Sequence, residues 1–130
     1  MFYVPKETQV PDMKGIMKEL KGYEQIIIGV HDSRARPASK LDYSSNLKLM
    51  IADLAALPNT VISVFANPYT IAGLPGIEKA GSLLVAYQKE AFMQRAAAKV
   101  ISGQIKAEGK LPVSINTYFP TGAGVISVGL

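Results

Sequence analysis

Residues Ser82–Ile115 read SLLVAYQKEAFMQRAAAKVISGQIKAEGKLPVSI. Leu83 to Ala86 is a short, unbroken apolar run of strand length. Next, Phe92, Ala96 and Val100 pair with Met93, Ala97 and Ile101 along one face of a helix. Gln94, Arg95, Lys99 and Ser102 fall on its other side. Gly103 is a helix stop. A turn through Gly109, Lys110, Leu111 and Pro112 then leads into Leu111–Ile115, where Pro112 suits a strand start or an edge. Strand, amphipathic helix and second strand together form the unit from which parallel sheets are built.

The same rhythm runs backwards through the chain. Met13, Ile16, Met17 and Leu20 recur at i, i+3, i+4 and i+7, and so do Leu47, Met50, Ile51 and Leu54. Gly22 and Pro58 end these two helices, and Asp12 suits the positive end of the first. Between them lie Ile26–Val30 and Val61–Ala66, apolar without alternation, as expected of strands covered on both faces. Phe2–Val4 is expected as a leading edge strand and Val125–Val128 as a final short one. The stretch from Asn67 to Gly81 is broken by Pro68, Gly73, Pro75 and Gly76, leaving room for one short helical turn. The fold class is α/β: a three-layer sandwich with a mostly parallel sheet, flavodoxin-like in order, over residues 1–130 as one domain.

Composition narrows the function. With 130 residues, 48% hydrophobic and 18% charged, the chain can bury a real core and does not read as disordered. The absence of cysteine removes disulfides, thiolate metal sites and a cysteine nucleophile, but leaves the compartment open. The net charge of +4 is spread over helix surfaces with no aromatic-rich basic stripe, so no nucleic-acid partner is expected. No apolar run approaches the ~18 residues of a membrane span.

In open parallel sheets ligands sit beyond the carboxyl ends of the strands. Three such tips stand out: His31–Pro37, Asn67–Tyr69 and Tyr87–Glu90. His31, the single histidine, neighbours Asp32 and Ser33, but adjacent residues are rarely oriented as a triad. One histidine among scattered carboxylates offers no metal-ligand spacing. His31, Arg34 and Arg36 are candidates for binding an anion, against the plainer reading of a basic surface loop. No phosphate loop or dinucleotide fingerprint is present, and Thr121–Val125 reads as a turn. No carboxylate pair is placed for glycosidase chemistry. No catalytic residue, cofactor or metal is assigned.

Four stretches carry a family resemblance. Gly103–Val113 resembles the G-x-x-x-x-x-G-[KR]-L-P-V segment near the end of family 3 glycoside hydrolases. Val64–Tyr69 resembles the strand and Asn-Pro-Tyr tip of their β-N-acetylhexosaminidase branch. Leu84–Gln88, with the helix Gln94–Val100 behind it, resembles the next strand. Ser114–Asn116 and Gly122–Val125 resemble the close of that domain. The resemblance is strongest from about Asn59 to Val125.

The resemblance implies a C-terminal α/β sandwich whose partner is an N-terminal TIM-like barrel of the same protein, the substrate of the whole enzyme being a carbohydrate. In the hexosaminidase branch the aspartate nucleophile and the histidine acid/base belong to the barrel. Its Gly-His-Gly motif is absent here, so His31 does not inherit that role. In the glucosidase branch a glutamate arrives from the C-terminal domain on a Pro-Gly-Gln-Glu-Gly type segment. Tyr87–Ala91 stands in its place here, which argues against that branch. The implied role is a non-catalytic domain that supports the barrel or shapes the rim of its site, with Asn67, Tyr69, Tyr87 and Gln88 as rim candidates. Asn67–Tyr69 also reads as a plain turn. The competing expectations are a stand-alone binding module taking a small anion or nucleotide at the first two tips, and a small hydrolase using Ser33 or Ser82.

Overall fold

The computed structural model describes residues 1–32, 34–36 and 38–125. Among the described residues three α-helices and three strands follow in the order α1 (Val10–Leu20), β1 (Ile26–His31), α2 (Ser45–Ala55), β2 (Thr60–Phe65), β3 (Ser82–Val85) and α3 (Ala91–Ile101). The strands form a parallel sheet in the order β1-β2-β3, with Ile26 beside Thr60 and Ile62 beside Leu83.

The sheet lies between two helical layers. Ile62 and Val64 of β2 face the main core with Leu47, Met50, Ile51 and Leu54 of α2 and Met13 of α1. Phe65, one residue out of phase, joins Ala86 and Ala97 of α3 in a smaller cluster on the other face. The two-residue period of the strand thus sorts side chains into the two layers. The four α2 residues predicted from spacing are all buried. At ~1.5–3 kcal/mol of gross transfer energy each, they are the largest single contribution any helix makes. Ser44 caps α2, its hydroxyl accepting from the Leu47 N–H at 3.2 Å.

Gly103 ends α3 as expected. Its φ of 73° is the left-handed value glycine adopts without strain. Its N–H donates to Val100 O at 3.0 Å, and the Gln104 N–H reaches Lys99 O at 2.8 Å, the paired bonds of a Schellman motif. The broken stretch after β2 holds two 3₁₀ turns, Pro68–Gly73 and Ile77–Lys79, and not one. Both contribute to the main core through Ile71, Leu74 and Ile77.

Two expected strands, and the expected covering of β1 on both faces, need correction. Phe2–Val4 is not a strand: Phe2 and Tyr3 are exposed, and only Val4 packs against the core. Pro5 offers no N–H, the Thr8 N–H closes a turn onto Pro5 O at 3.0 Å, and Lys6 is tied to Asp42 at 2.7 Å, so the segment borders a cavity along β1 without pairing as a strand. Leu111–Ile115 is a loop. Leu111 exchanges backbone bonds with Gly122 and Ala123, each at 2.8 Å, and Asn116 Oδ1 accepts from the Tyr118 and Phe119 N–H groups. Local pairing there replaces a ladder that Pro112 would have interrupted. The strand expected over Val125–Val128 lies outside the described residues from position 126 on. The β1 strand is also not covered on both faces: Ile27 is 57% exposed, because α3 packs over β2 and β3 only.

The two terminal motifs of the sequence resemblance meet in this loop. A side chain on Gly124 would place its Cβ 2.6 Å from Gly109 O. Leu111, paired with Gly122 and Ala123 in the same loop, is buried at 8% exposure.

Candidate functional site at the strand tips

The carboxyl ends of the strands are held together by contacts the sequence alone did not announce. His31, at the end of β1, stacks on Phe65 of β2 with ring centroids 4.7 Å apart and 15° between planes. Tyr43 pins the same residue from outside: its hydroxyl donates to His31 O at 2.7 Å and accepts from His31 N–H at 3.2 Å. Burial lowers the His31 pKa, so the imidazole is neutral at pH 7.

Asp32 follows and is buried at 5% exposure. Arg34 closes on it with Nε donating to Oδ1 and Nη2 to Oδ2, both at 2.8 Å, while the Arg34 N–H reaches Oδ1 at 3.1 Å. The last bond makes an Asx turn that aims the guanidinium at the carboxylate. Arg34 Nη2 also donates to Lys40 O. These bonds to Arg34 hold the Asp32 carboxyl well down, at about 2, against the opposing effect of burial. From the far side Lys89, beyond β3, donates its ammonium to Arg34 O at 2.8 Å. The first and third tips are thereby laced together.

The anion-binding group does not assemble as the sequence suggested. Arg34 spends its guanidinium on Asp32 and Lys40, and His31 is neutral. Of the three candidates, Arg36 is the one that stands as an exposed cation. Ser33 and Pro37 lie outside the described residues. The His31 ring stacks on Phe65, and no hydrogen bond between His31 and Asp32 occurs among the described contacts.

The second tip turns outward. Asn67 caps the first 3₁₀ turn, its Oδ1 accepting from the Tyr69 N–H at 3.0 Å and its carbonyl from both the N–H and hydroxyl of Thr70. Asn67 is therefore the turn residue that the plainer reading expected, and Tyr69 is 44% exposed beside it.

The third tip is strained. Tyr87 has φ 63°, the one non-glycine residue with positive φ among the described residues. The Gln88 N–H donates to Ala86 O at 2.7 Å across it, which makes a γ-turn of the rarer, strained hand. Tyr87 is 37% exposed and Gln88 is exposed too. Strain of ~1–3 kcal/mol at an exposed aromatic on a strand tip is the kind of outlier that points to a use. No motif marked this φ. The Asp32–Arg34 pair has a sequence signal, an aspartate two residues ahead of an arginine in a turn.

A cavity of about 850 Å³ lies away from this rim, along the outer edge of β1, and of the tip residues only His31 lines it. Among the described residues no cluster of three or more histidine, cysteine or acidic side chains is placed to hold a metal ion. No described helix is long and apolar enough to cross a membrane. No family model matches the chain, and no match emerges among curated proteins or solved structures. What stands is the class: a parallel α/β sandwich with aromatic and amide side chains at its strand tips.

Proposed function

We propose that the chain is a non-catalytic α/β domain of a β-N-acetylhexosaminidase-like family 3 glycoside hydrolase, packing against a TIM-like barrel and shaping the rim of its sugar site. The observation that supports this reading most is the division of labour at the tips. Asp32, Arg34 and Lys89 are bound to one another and to backbone, while Tyr69, Tyr87 and Gln88 present uncharged rings and an amide to solvent. A sugar ring offers C–H faces that stack on tyrosine and hydroxyls that an amide can bond. A phosphate ligand would instead ask for cations, and of those at the tips Arg34 and Lys89 are already bonded. In this reading hydrolysis belongs to the barrel.

Two measurements on the purified chain test it. It should not turn over a nitrophenyl N-acetyl-β-glucosaminide. Titration with N,N′-diacetylchitobiose should move the amide resonances of Tyr69, Tyr87 and Gln88. Turnover by the chain alone would overturn the non-catalytic assignment. Shifts at Arg36 with nucleotides or sugar phosphates, and none with the saccharide, would favour the small-anion module.

A further inference from the structure

The layer formed by α1 and α2 carries an open groove of about 530 Å³ between the two helices. Met13 and Met50, 4% and 7% exposed, form its floor, and the half-buried Met17 lines it with them. Val10 of α1 and Leu49 of α2 add apolar side chains that are 38% and 58% exposed. Thioether side chains are unbranched and polarizable, so a methionine-lined groove repacks around whatever apolar surface is pressed into it.

One side of the groove is a row of cations. Lys14 and Lys18 of α1 and Lys21 at its C-cap follow at i, i+4 and i+7, all three exposed. The row covers two helical turns, about 10 Å. Among the described residues none of the three has an ion pair or a side-chain hydrogen bond. Like charges at this spacing weaken a helix. The acidic residues of α1, Asp12 and Glu19, do not line the groove and so do not relieve the row. Across from it α2 contributes Asn46 and Asp53, and no salt bridge joins Asp53 to the lysines. The electrostatic pattern is two-sided, with three positive charges along one helix and one negative charge on the other.

We propose that this groove docks an acidic amphipathic helix of a partner protein, with carboxylates at i, i+4 and i+7 along one border, aliphatic residues down the middle and a lysine on the other border. Charge complementarity selects this occupant. Three cations at helical spacing are met in full by three anions at helical spacing, and the lysine meets Asp53. A fatty acid brings one carboxylate and leaves two lysines without a counter-ion. A bilayer surface is flat, does not fill a groove, and would set Asp53 against anionic headgroups. A nucleic acid strand would look for aromatic stacking partners, and none line the groove. The mode is helix-in-groove recognition, in which the apolar stripe supplies affinity and the charged borders supply orientation and selectivity. It uses no residue of the strand tips, so it does not depend on the saccharide reading.

The test is titration of the whole chain with the helical peptide acetyl-LEAALEKLEAKLEKL-amide, followed by fluorescence anisotropy of a labelled copy and by amide shifts in NMR. The peptide should bind at low salt and move the amides of residues 13–21 and 46–53. Its counterpart with glutamine at every glutamate position should bind about tenfold more weakly, a gap that added salt narrows. In the double variant Lys14→Glu, Lys18→Glu the acidic peptide should lose about tenfold in affinity, and a peptide with lysine at every glutamate position should gain it. That exchange of preference is not something a loss of folding could produce. Four results would overturn the proposal: no amide shift at millimolar peptide, equal affinity for the glutamate and glutamine peptides, shifts confined to residues outside α1 and α2, or adsorption to phosphatidylserine vesicles with no binding of the peptide. The last would assign this face to a membrane surface.

Discussion

Replacing Asp32 by asparagine isolates the ion pair that laces the strand tips. The wild-type carboxyl sits at about 2 where an ordinary aspartate is at 3.8. At ~1.36 kcal/mol per unit the shift is worth about 2 kcal/mol of folding stability. The Arg34 side chain is 35% exposed, so water screens part of this, and about 1–2 kcal/mol is the expected loss in Asp32→Asn at pH 7. The sign follows from the lowered pKa. The stabilisation is complete above the unfolded value near 4 and disappears as pH falls through the folded value near 2. Urea denaturation of both proteins at pH 7, 5, 3 and 2 should therefore show a gap that is constant from 7 to 5, shrinks at 3 and is mostly gone at 2. The Lys6–Asp42 pair titrates in both proteins and largely cancels in the difference, Asp32 being the smallest of the influences on Asp42. A variant as stable as wild type at pH 7, or a gap that does not change with pH, would refute the argument. So would a gap that widens in acid.

Three further substitutions test other parts of the structure. Gly103→Ala forces a β-carbon onto φ 73° and should cost about 1 kcal/mol, read as a lowered urea midpoint with unchanged slope. Ser63→Ala removes a hydroxyl that is 2% exposed and has no hydrogen-bond partner, so thermal unfolding should show no loss and a gain of up to about 1 kcal/mol. Tyr87→Gly should relieve a backbone penalty of ~1–3 kcal/mol while adding ~1 kcal/mol of unfolded-state entropy. Its melting temperature should hold or rise while the saccharide shifts vanish, and a fall of several degrees would show that the ring is there for stability.

The parts legible in the sequence are those set by a period. The helical spacing of Leu47, Met50, Ile51 and Leu54 and the stop at Gly103 returned α2 and the end of α3 nearly to the residue, because local geometry decides both. The apolar runs at Ile26, Val61 and Leu83 returned three parallel strands. What failed was long-range. An apolar run says that a strand can be covered on both faces, not that a helix is present to cover it, and α3 stops short of β1. Leu111–Ile115 has strand composition, but Asn116 and Ser114 offer side-chain oxygens that the nearby Tyr118, Phe119 and Thr121 N–H groups take up instead.

The site divides along the same line. Residue types at the tips followed from topology alone, since strand ends carry the variable loops. Their partners did not. Whether Arg34 is a ligand-binding cation or a structural one depends on a turn of two residues that swings it back onto Asp32, and on Lys89 arriving from another strand. That closure has a consequence for chemistry. A carboxylate at about 2, bonded on both oxygens, is too weak a base to serve as the general acid/base of glycoside cleavage. The uncharged groups exposed at the rim include Tyr69, Tyr87 and Gln88, and Tyr87 is kept at a backbone angle that costs folding energy. A strained tyrosine whose ring is more than a third exposed gains little from burial there, so the compensation for its strain is to be sought in something it meets from outside.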